Sequence, residues 1–177
     1  RSDTLVVTFD NLDIAMEKRE DRRPWGFGFI EKQGWSMLGV MAGGWTWYRD
    51  HWVHAEFDRL RDEGFFARFR RVVFYGASMG GYAACAFAPA CPGADVVAIS
   101  PQSTLDKALV PWETRYRAAW GYDYAGPYGD GATASAFPTV HHHATTTPAA
   151  SSAAPASSPA GARVRSELRR LRAHRQR

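Results

Sequence analysis

The sequence predicts an α/β fold, with a mainly parallel sheet that carries helices on both faces, followed by a disordered tail. Short apolar runs alternate with segments of helical periodicity over residues 1–130, and strands that alternate with helices pair in parallel through right-handed crossovers. A glycine-rich strand-to-helix turn lies within this region, at residues 76–80. The composition then changes abruptly at residue 131. We therefore predict one domain at residues 1–130 and a low-complexity tail at residues 131–177.

The first predicted strand is the continuous apolar run at residues 5–9, which is typical of a strand buried on both faces of a parallel sheet. It ends at Asp10 and Asn11, two residues that favour turns. A polar stretch follows, which predicts a loop or one short exposed helix. Residues 24–29 combine glycine with aromatic residues and predict a loop that buries its rings.

A second strand is predicted at residues 36–41, followed by a helix that begins after Asp50 and ends at Gly64. Asp is a favourable N-cap, and Gly is common just past the C-terminus of a helix. The helix has apolar residues at positions i, i+4 and i+7, which give it one buried face: Val53, Phe57 and Leu60.

The central element is residues 71–89, where a β-branched apolar strand meets the motif G-x-S-x-G and then an Ala-rich helix closed by Pro89. A nucleophile on such a tight turn has strained backbone angles, and side chains two residues to either side would collide with neighbouring backbone. Gly76 and Gly80 remove those side chains, so Ser78 stands clear of the sheet. The N–H of Met79, in the first turn of the helix, is then directed at an oxyanion formed by attack of Ser78.

The chain continues with a fourth strand, predicted at residues 94–100, and a helix at residues 112–120 with Pro111 at its first turn. In parallel sheets the reactive groups lie at the carboxyl ends of the strands. The turn at Asp10 and Asn11, the serine Ser78 and the loop after the fourth strand are therefore expected at one edge of the sheet.

These features resemble the α/β-hydrolase family over about residues 4–125. The resemblance is specific at residues 75–82, which read Y-G-x-S-M-G-G-Y, and extends to W-Y-R at residues 47–49 and I-S-P-Q at residues 99–102. It implies a partial α/β-hydrolase fold and a serine hydrolase with Ser78 as nucleophile. It also implies an oxyanion hole formed by the N–H of Met79 and a second N–H from the turn at Asn11.

The resemblance further implies an acid and a histidine, in the chain order Ser, Asp or Glu, His. Asp106 and Asp123 are available carboxylates, although solvated loops commonly carry Asp. His51 and His54 precede Ser78 and break this order. No strand is predicted after the fourth one, so the domain is incomplete at its C-terminal end and the triad histidine is not identified.

Two functions remain open. A serine hydrolase or acyltransferase would act on a small-molecule ester or thioester through an acyl-enzyme at Ser78, with impaired activity if the histidine is lost. The alternative is a non-catalytic α/β-hydrolase-like fragment or interaction module. Four aromatic residues either line an acyl site or pack in the core: Trp25, Phe27, Trp45 and Trp47.

Charge, cysteine content and histidine spacing bear on nucleic-acid binding, disulfides and metal sites. The net charge is +4, but the tail carries seven Arg and one Glu, so residues 1–130 have a net charge of −2. We therefore expect no nucleic-acid binding by the folded domain. Two cysteines provide no disulfide framework, and no cofactor is predicted. The adjacent histidines at residues 141–143 point in different directions and lack a spaced co-ligand, so no metal site is predicted either.

No signal-peptide pattern and no apolar run approaching ~20 residues is present, so we expect a cytoplasmic protein without a transmembrane segment. The chain begins at Arg1 rather than Met, which suggests that residues upstream of it are missing.

The tail at residues 131–177 holds 12 Ala, six Ser, five Thr and four Pro, a composition that buries too little apolar surface to offset chain entropy. One interpretation is a flexible linker followed by an Arg-rich end with a thin apolar stripe at Val164, Leu168 and Leu171. The other is an altered reading frame or a natural truncation, because the change occurs where further strands and the histidine are expected. Sequencing the gene region near codon 130 distinguishes the two.

Overall fold

A parallel sheet of five strands is present in the computed structural model, which describes residues 2–134 and 140–143. Its order is β2-β1-β3-β4-β5, and each neighbouring pair is parallel. The strands are β1 Thr4–Phe9, β2 Ser36–Val40, β3 Arg71–Ala77, β4 Asp95–Ile99 and β5 Val140–His143. The first four lie where the apolar runs predict them, and the parallel α/β class is confirmed.

The helices within the described residues are α1 Leu12–Ala15, α2 Phe27–Gln33, α3 His51–Asp62, α4 Met79–Phe87 and α5 Gly131–Ala134. Helices α3 and α4 confirm two of the three predicted helices. Asp50 occupies the N-cap position of α3, although its side chain makes no capping hydrogen bond. Gly64 follows the helix with a φ of 65°, a conformation that favours glycine.

Two predictions between these elements are wrong. The loop expected at residues 24–29 is helical from Phe27 onward, because a turn in which the Phe27 N–H donates to the Pro24 carbonyl at 3.1 Å leads into α2. The helix expected at residues 112–120 is reduced to a short 3₁₀ helix, Arg117–Gly121. Trp112 is 74% exposed, so the first half of this segment lacks the buried apolar face that stabilises most helices in proteins.

The prediction that no strand follows the fourth one is also wrong. Strand β5 pairs with β4 in a register that joins Val96 to Val140 and Ile99 to His143. A strand can form here without an apolar run, because strand pairing uses backbone groups that every residue except proline provides. The predicted disorder at residues 135–139 and 144–177 concerns segments that lie outside the described residues.

Helices cover both faces of the sheet, as predicted. Phe9 of β1 packs against Phe57 of α3 and Phe87 of α4, with ring centroids 5.9 and 5.8 Å apart. Successive residues of a strand face opposite sides, and Tyr75 of β3 accordingly contacts Trp25, at 4.4 Å, on the other face. The α3–α4 side holds the largest buried rings, and α2 covers the opposite side.

The strand order reverses between β1 and β3, because the chain moves outward from β1 to β2 and then crosses back. In open α/β sheets, such a switch point leaves a crevice at the carboxyl ends of the two strands, where ligands commonly bind. The residues that follow β1 and β3 are Asp10 and Ser78. The topology therefore places the predicted nucleophile and the predicted oxyanion turn at the crevice.

The longest helix of the described residues, α3, has 12 residues. None of these helices has both the length and the apolar character needed to cross a bilayer.

Candidate functional site

Ser78 has a strained backbone between β3 and α4. Its φ is 53° and its ψ is −118°, a region that residues other than glycine rarely occupy. The Ser78 N–H donates to the Ile99 carbonyl at 2.9 Å, and the Ser78 carbonyl accepts the N–H of Tyr82 at 2.9 Å. Strand β4 and helix α4 thus hold this strained conformation from both sides.

The two glycines of the motif are required by close backbone approach. A Cβ on Gly76 would overlap the Gly80 carbonyl and lie 2.8 Å from the Gly81 nitrogen. A Cβ on Gly80 would overlap the Phe9 carbonyl oxygen and lie 2.9 Å from the Asp10 carbonyl oxygen. Distances below 3.0 Å are essentially never seen for a real Cβ, so the crowding predicted from the sequence is present.

The same contacts bring the turn after β1 against the first turn of α4. Met79 opens α4, so its N–H belongs to the orphan donors at a helix N-terminus, where the helix dipole favours negative charge. Asn11 caps α1, its Oδ1 accepting the Ile14 N–H at 2.9 Å. The Asn11 N–H makes no hydrogen bond among the described residues. The N–H groups of Met79 and Asn11, which flank the crevice, are therefore both backbone donors without a partner among the described residues.

Ser78 is partly exposed. Within residues 2–132, where side chains are described, none makes a hydrogen bond to its hydroxyl oxygen. Ser78 is therefore mounted at the crevice without a base beside it in this part of the chain.

A buried carboxylate beneath the crevice was missed as a functional candidate. The Asp10 side chain is fully buried and accepts hydrogen bonds from Arg22 Nη1 at 2.8 Å, the Trp25 N–H at 3.0 Å and the Ala42 N–H at 3.2 Å. Burial raises the pKa of Asp10, while these N–H donors and the Arg22 charge act in the opposite direction. The sequence signal was an Asp at the end of an apolar strand, but its partners lie 12 to 32 residues away.

Trp47 and Tyr48 are also strained and buried. Their φ values are 51° and 55°, and their side chains are 2% and 1% exposed. The Tyr48 hydroxyl donates to the Asp10 carbonyl at 2.9 Å. Strained residues other than glycine cluster at functional sites, and four of those described follow the carboxyl ends of β2, β3 and β4: Trp47, Tyr48, Ser78 and Ser100. Tyr128, with a φ of 63°, instead stacks on Phe87 at the far end of α4.

His54 lies away from Ser78. Its ring contacts Phe87 at the far end of α4, with centroids 5.7 Å apart, and its Nε2 is 3.0 Å from the Tyr48 carbonyl. Nine residues of helix separate Ser78 from Phe87, or roughly 13 Å along the axis. His54 is therefore a packing residue. His51 is exposed, and its ring lies 6.3 Å from the His54 ring. By contrast, β5 brings the backbone of residues 141–143 to the crevice edge, with His143 in register with Ile99.

The environment of His54 gives a testable pH dependence. Burial, together with the charge of Arg49, lowers the pKa of His54 below its ordinary value. The unfolded chain then binds a proton more readily, so this residue's contribution to stability is fully present above its unfolded-state pKa of about 6.5 and is lost as the pH falls from there through the lower folded-state pKa. We expect urea unfolding to show a smaller loss of stability between pH 7.5 and 5.5 in His54→Gln than in the wild type. The exposed His51→Gln is the control, and an equal loss in all three proteins would contradict the prediction.

The two carboxylates considered for the triad stabilise local turns. Asp106 Oδ1 accepts the Ala108 N–H at 2.8 Å, and Asp123 Oδ1 accepts the Ala125 N–H at 2.8 Å. Side chains that bond their own backbone two residues on are typical of Asx turns. Neither contact links these residues to a histidine.

The four candidate aromatic residues divide between core and surface. Trp47 is a core residue that packs edge-on against Tyr82 at 5.9 Å. Trp25 covers the opposite face of the sheet, and Phe27 stacks beneath the Arg23 guanidinium at 4.2 Å. Trp45 is 55% exposed and donates from Nε1 to the Leu12 carbonyl at 3.2 Å, which places it beside the turn after β1, where an oxyanion donor is predicted. Trp45 alone keeps the position expected of a residue that lines the site.

Other reactive groups of the described residues lie outside this site. Burial raises the pKa of Cys85 to about 12 and that of Cys91 to about 11, so both remain thiols near neutral pH. No cluster of three or more potential metal ligands occurs in the described part of the chain. A cavity of about 380 Å³ lies at the amino-terminal ends of β3 and β4, lined in part by Arg71 and Asp95. It opens at the sheet edge opposite Ser78.

Comparison of the chain with protein-family models, with curated proteins and with solved structures found no match.

Proposed function

We propose that this protein is a serine hydrolase of the α/β-hydrolase type that cleaves an ester or thioester through an acyl-enzyme at Ser78. The observation that carries the proposal is the strained Ser78, with a φ of 53°, on a strand-to-helix turn at the switch point of the sheet. Backbone strain persists only where the surrounding structure imposes it, and an exposed nucleophile is one use of such strain.

In the proposed reaction, Ser78 Oγ bonds to the acyl carbon and its proton passes to a base. The N–H groups of Met79 and Asn11 stabilise the oxyanion, a contribution worth about 10²–10³ in rate per donor. The tetrahedral intermediate then collapses, the carbon–oxygen or carbon–sulfur bond breaks, and the leaving group takes up a proton. Water hydrolyses the acyl-enzyme by the reverse sequence of proton transfers, or another acceptor takes the acyl group.

The triad histidine is not identified in the sequence, and its loss would impair the activity. Residues 141–143 are candidates because their strand ends at the crevice edge. Trp45 would contact the acyl or leaving group of a small-molecule substrate, since an exposed indole offers a large apolar surface beside the oxyanion turn.

A fluorophosphonate probe tests the proposal. We expect the folded wild-type protein to be labelled covalently, and Ser78→Ala to lose labelling by several orders of magnitude. Ser103→Ala, at an exposed serine in the loop after β4, is the matched control and should keep wild-type labelling. Absence of labelling in wild-type protein whose circular dichroism shows a folded state would overturn the proposal.

The second candidate is a non-catalytic interaction module with the same fold. It is favoured by the absence of any base hydrogen-bonded to Ser78 within residues 2–132. The same experiment decides between the two, because a module without catalytic function leaves the probe unreacted.

A further inference from the structure

The Asp10 carboxylate joins three separate segments beneath the crevice. Oδ1 accepts the Trp25 N–H at 3.0 Å, and Oδ2 accepts the Ala42 N–H at 3.2 Å and Arg22 Nη1 at 2.8 Å. Its side chain is fully buried and that of Arg22 is 12% exposed. A buried carboxylate is retained only with strong partners, and here the partners are the loops that follow β1 and β2.

Arg22 extends this connection to α1. Besides its ion pair with Asp10, it donates to the Ile14 carbonyl at 2.8 Å and to the Ala42 carbonyl at 3.0 Å. Helix α1 has only four residues, too few to be stable by its own hydrogen bonds. It is held at its start by the Asn11 cap and near its end by Arg22.

The peptide group between Asp10 and Asn11 is fixed as well. The Asp10 carbonyl accepts the Tyr48 hydroxyl at 2.9 Å and lies against Gly80 of α4. Because a trans peptide is planar, its N–H points opposite to its carbonyl. The Asn11 N–H is therefore fixed on the side of this peptide group away from Tyr48, and its position depends on Asp10 staying in place.

We propose that Asp10 is a positioning residue of the oxyanion site, and that its ion pair with Arg22 holds the Asn11 N–H in the orientation used in the transition state. The inference rests on the proposed function of Ser78. Asp10 touches neither substrate nor Ser78 in this account. It acts through the backbone that it anchors, as expected where a donor must be preorganised to within a fraction of an ångström.

The test is Asp10→Asn, with Asp95→Asn as the matched control. Asn is nearly isosteric with Asp but leaves the buried Arg22 without a counter-charge. Asp95→Asn makes the same change in the Arg71–Asp95 pair, 2.6 Å apart, at the opposite edge of the sheet. Arg22→Lys keeps the charge without the planar fork, and it serves if Asp10→Asn does not fold.

Two measurements are made below the melting temperature of every variant. The first is the dependence of labelling rate on fluorophosphonate concentration. We expect the limiting rate to fall about tenfold or more in Asp10→Asn, with half-saturation unchanged, because a misplaced donor weakens the transition state and not probe binding. Arg22→Lys should show a smaller fall, and Asp95→Asn none. The second is hydrogen exchange of the Ile14 amide, which should be faster in Asp10→Asn and unchanged in Asp95→Asn.

The outcomes separate this inference from the proposed function. Wild-type labelling at Ser78 together with a limiting rate in Asp10→Asn within twofold of wild type would overturn the positioning role alone. An equal fall in Asp95→Asn would also overturn it, since the effect would then follow any lost ion pair. If the wild-type protein does not react with the probe, the proposed function fails, and the positioning role fails with it.

Discussion

Gly80→Ala is expected to lower the free energy of unfolding by about 3 kcal/mol or more and to abolish labelling of Ser78. The new methyl group would overlap the Phe9 carbonyl oxygen and lie 2.9 Å from that of Asp10. Both neighbours are backbone atoms at the end of a buried strand, so they cannot rotate away as a side chain would. Overpacking of a close-packed interior commonly costs 1–3 kcal/mol, and a clash with backbone lies at the high end. Urea unfolding and probe labelling measure the two effects.

Gly28→Ala is the control for this prediction. Gly28 lies within α2, has no neighbouring atom within 4 Å of an added Cβ and has no positive φ. Because Ala is the better helix former by about 1 kcal/mol, this variant should be slightly more stable than the wild type and fully reactive. A Gly80→Ala protein as stable as Gly28→Ala would show that α4 does not approach β1 as closely as described.

Arg49→Ala is expected to destabilise the protein by about 3 kcal/mol and to release the segment that follows β4. Arg49 donates to the carbonyls of Asp123, at 2.9 Å, and Tyr128, and to the Tyr82 hydroxyl at 3.3 Å. A hydrogen bond from a charged donor contributes roughly 1.5–3 kcal/mol, and such values are not additive. Because Tyr82 lies in the first turn of α4, Arg49 ties this segment to the helix that carries Ser78.

Limited proteolysis and urea unfolding together test the role of Arg49. We expect cleavage within residues 100–130 to become faster in Arg49→Ala than in the wild type. Arg49→Lys keeps the charge but lacks the planar fork that reaches three acceptors, so it should fall between the two. Cleavage at the wild-type rate in Arg49→Ala would contradict the assignment of Arg49 as the tie.

Local pattern accounted for the elements but not for every connection. Residues 5–9 and 36–41 were assigned correctly because buried parallel strands are continuous apolar runs. Strand β5 was missed because Val140 stands next to three histidines, a pattern without apolar periodicity. The helix expected at residues 112–120 was wrong in its first half, where Trp112 is exposed and no apolar side chain is buried; only Arg117–Gly121 forms a 3₁₀ helix.

The candidate site shows the same division. Ser78 and its flanking glycines were found because a strained turn requires small residues at fixed spacing. A requirement of this kind is visible in a short stretch of sequence. Residues 47–49 were noticed as part of a family pattern. Their hydrogen bonds, however, are made with the Asp10 carbonyl and with carbonyls of residues 123–128, which are distant in sequence. The position of Asp10 at the end of an apolar strand was visible in the sequence, but its ion pair with Arg22 was not, because the sequence does not show whether a carboxylate is buried or solvated.

By itself the sequence determined the parallel α/β class, the first four strands and the mounting of Ser78, all of which follow from short-range periodicity and backbone sterics. Only the tertiary structure decided which loops meet at the switch point, that His54 packs against Phe87 rather than beside Ser78, and that Asp10 is buried among three donors from two loops. These are contacts between residues distant in sequence. They depend on strand order and on the crossing of helices over the sheet, which no local pattern encodes.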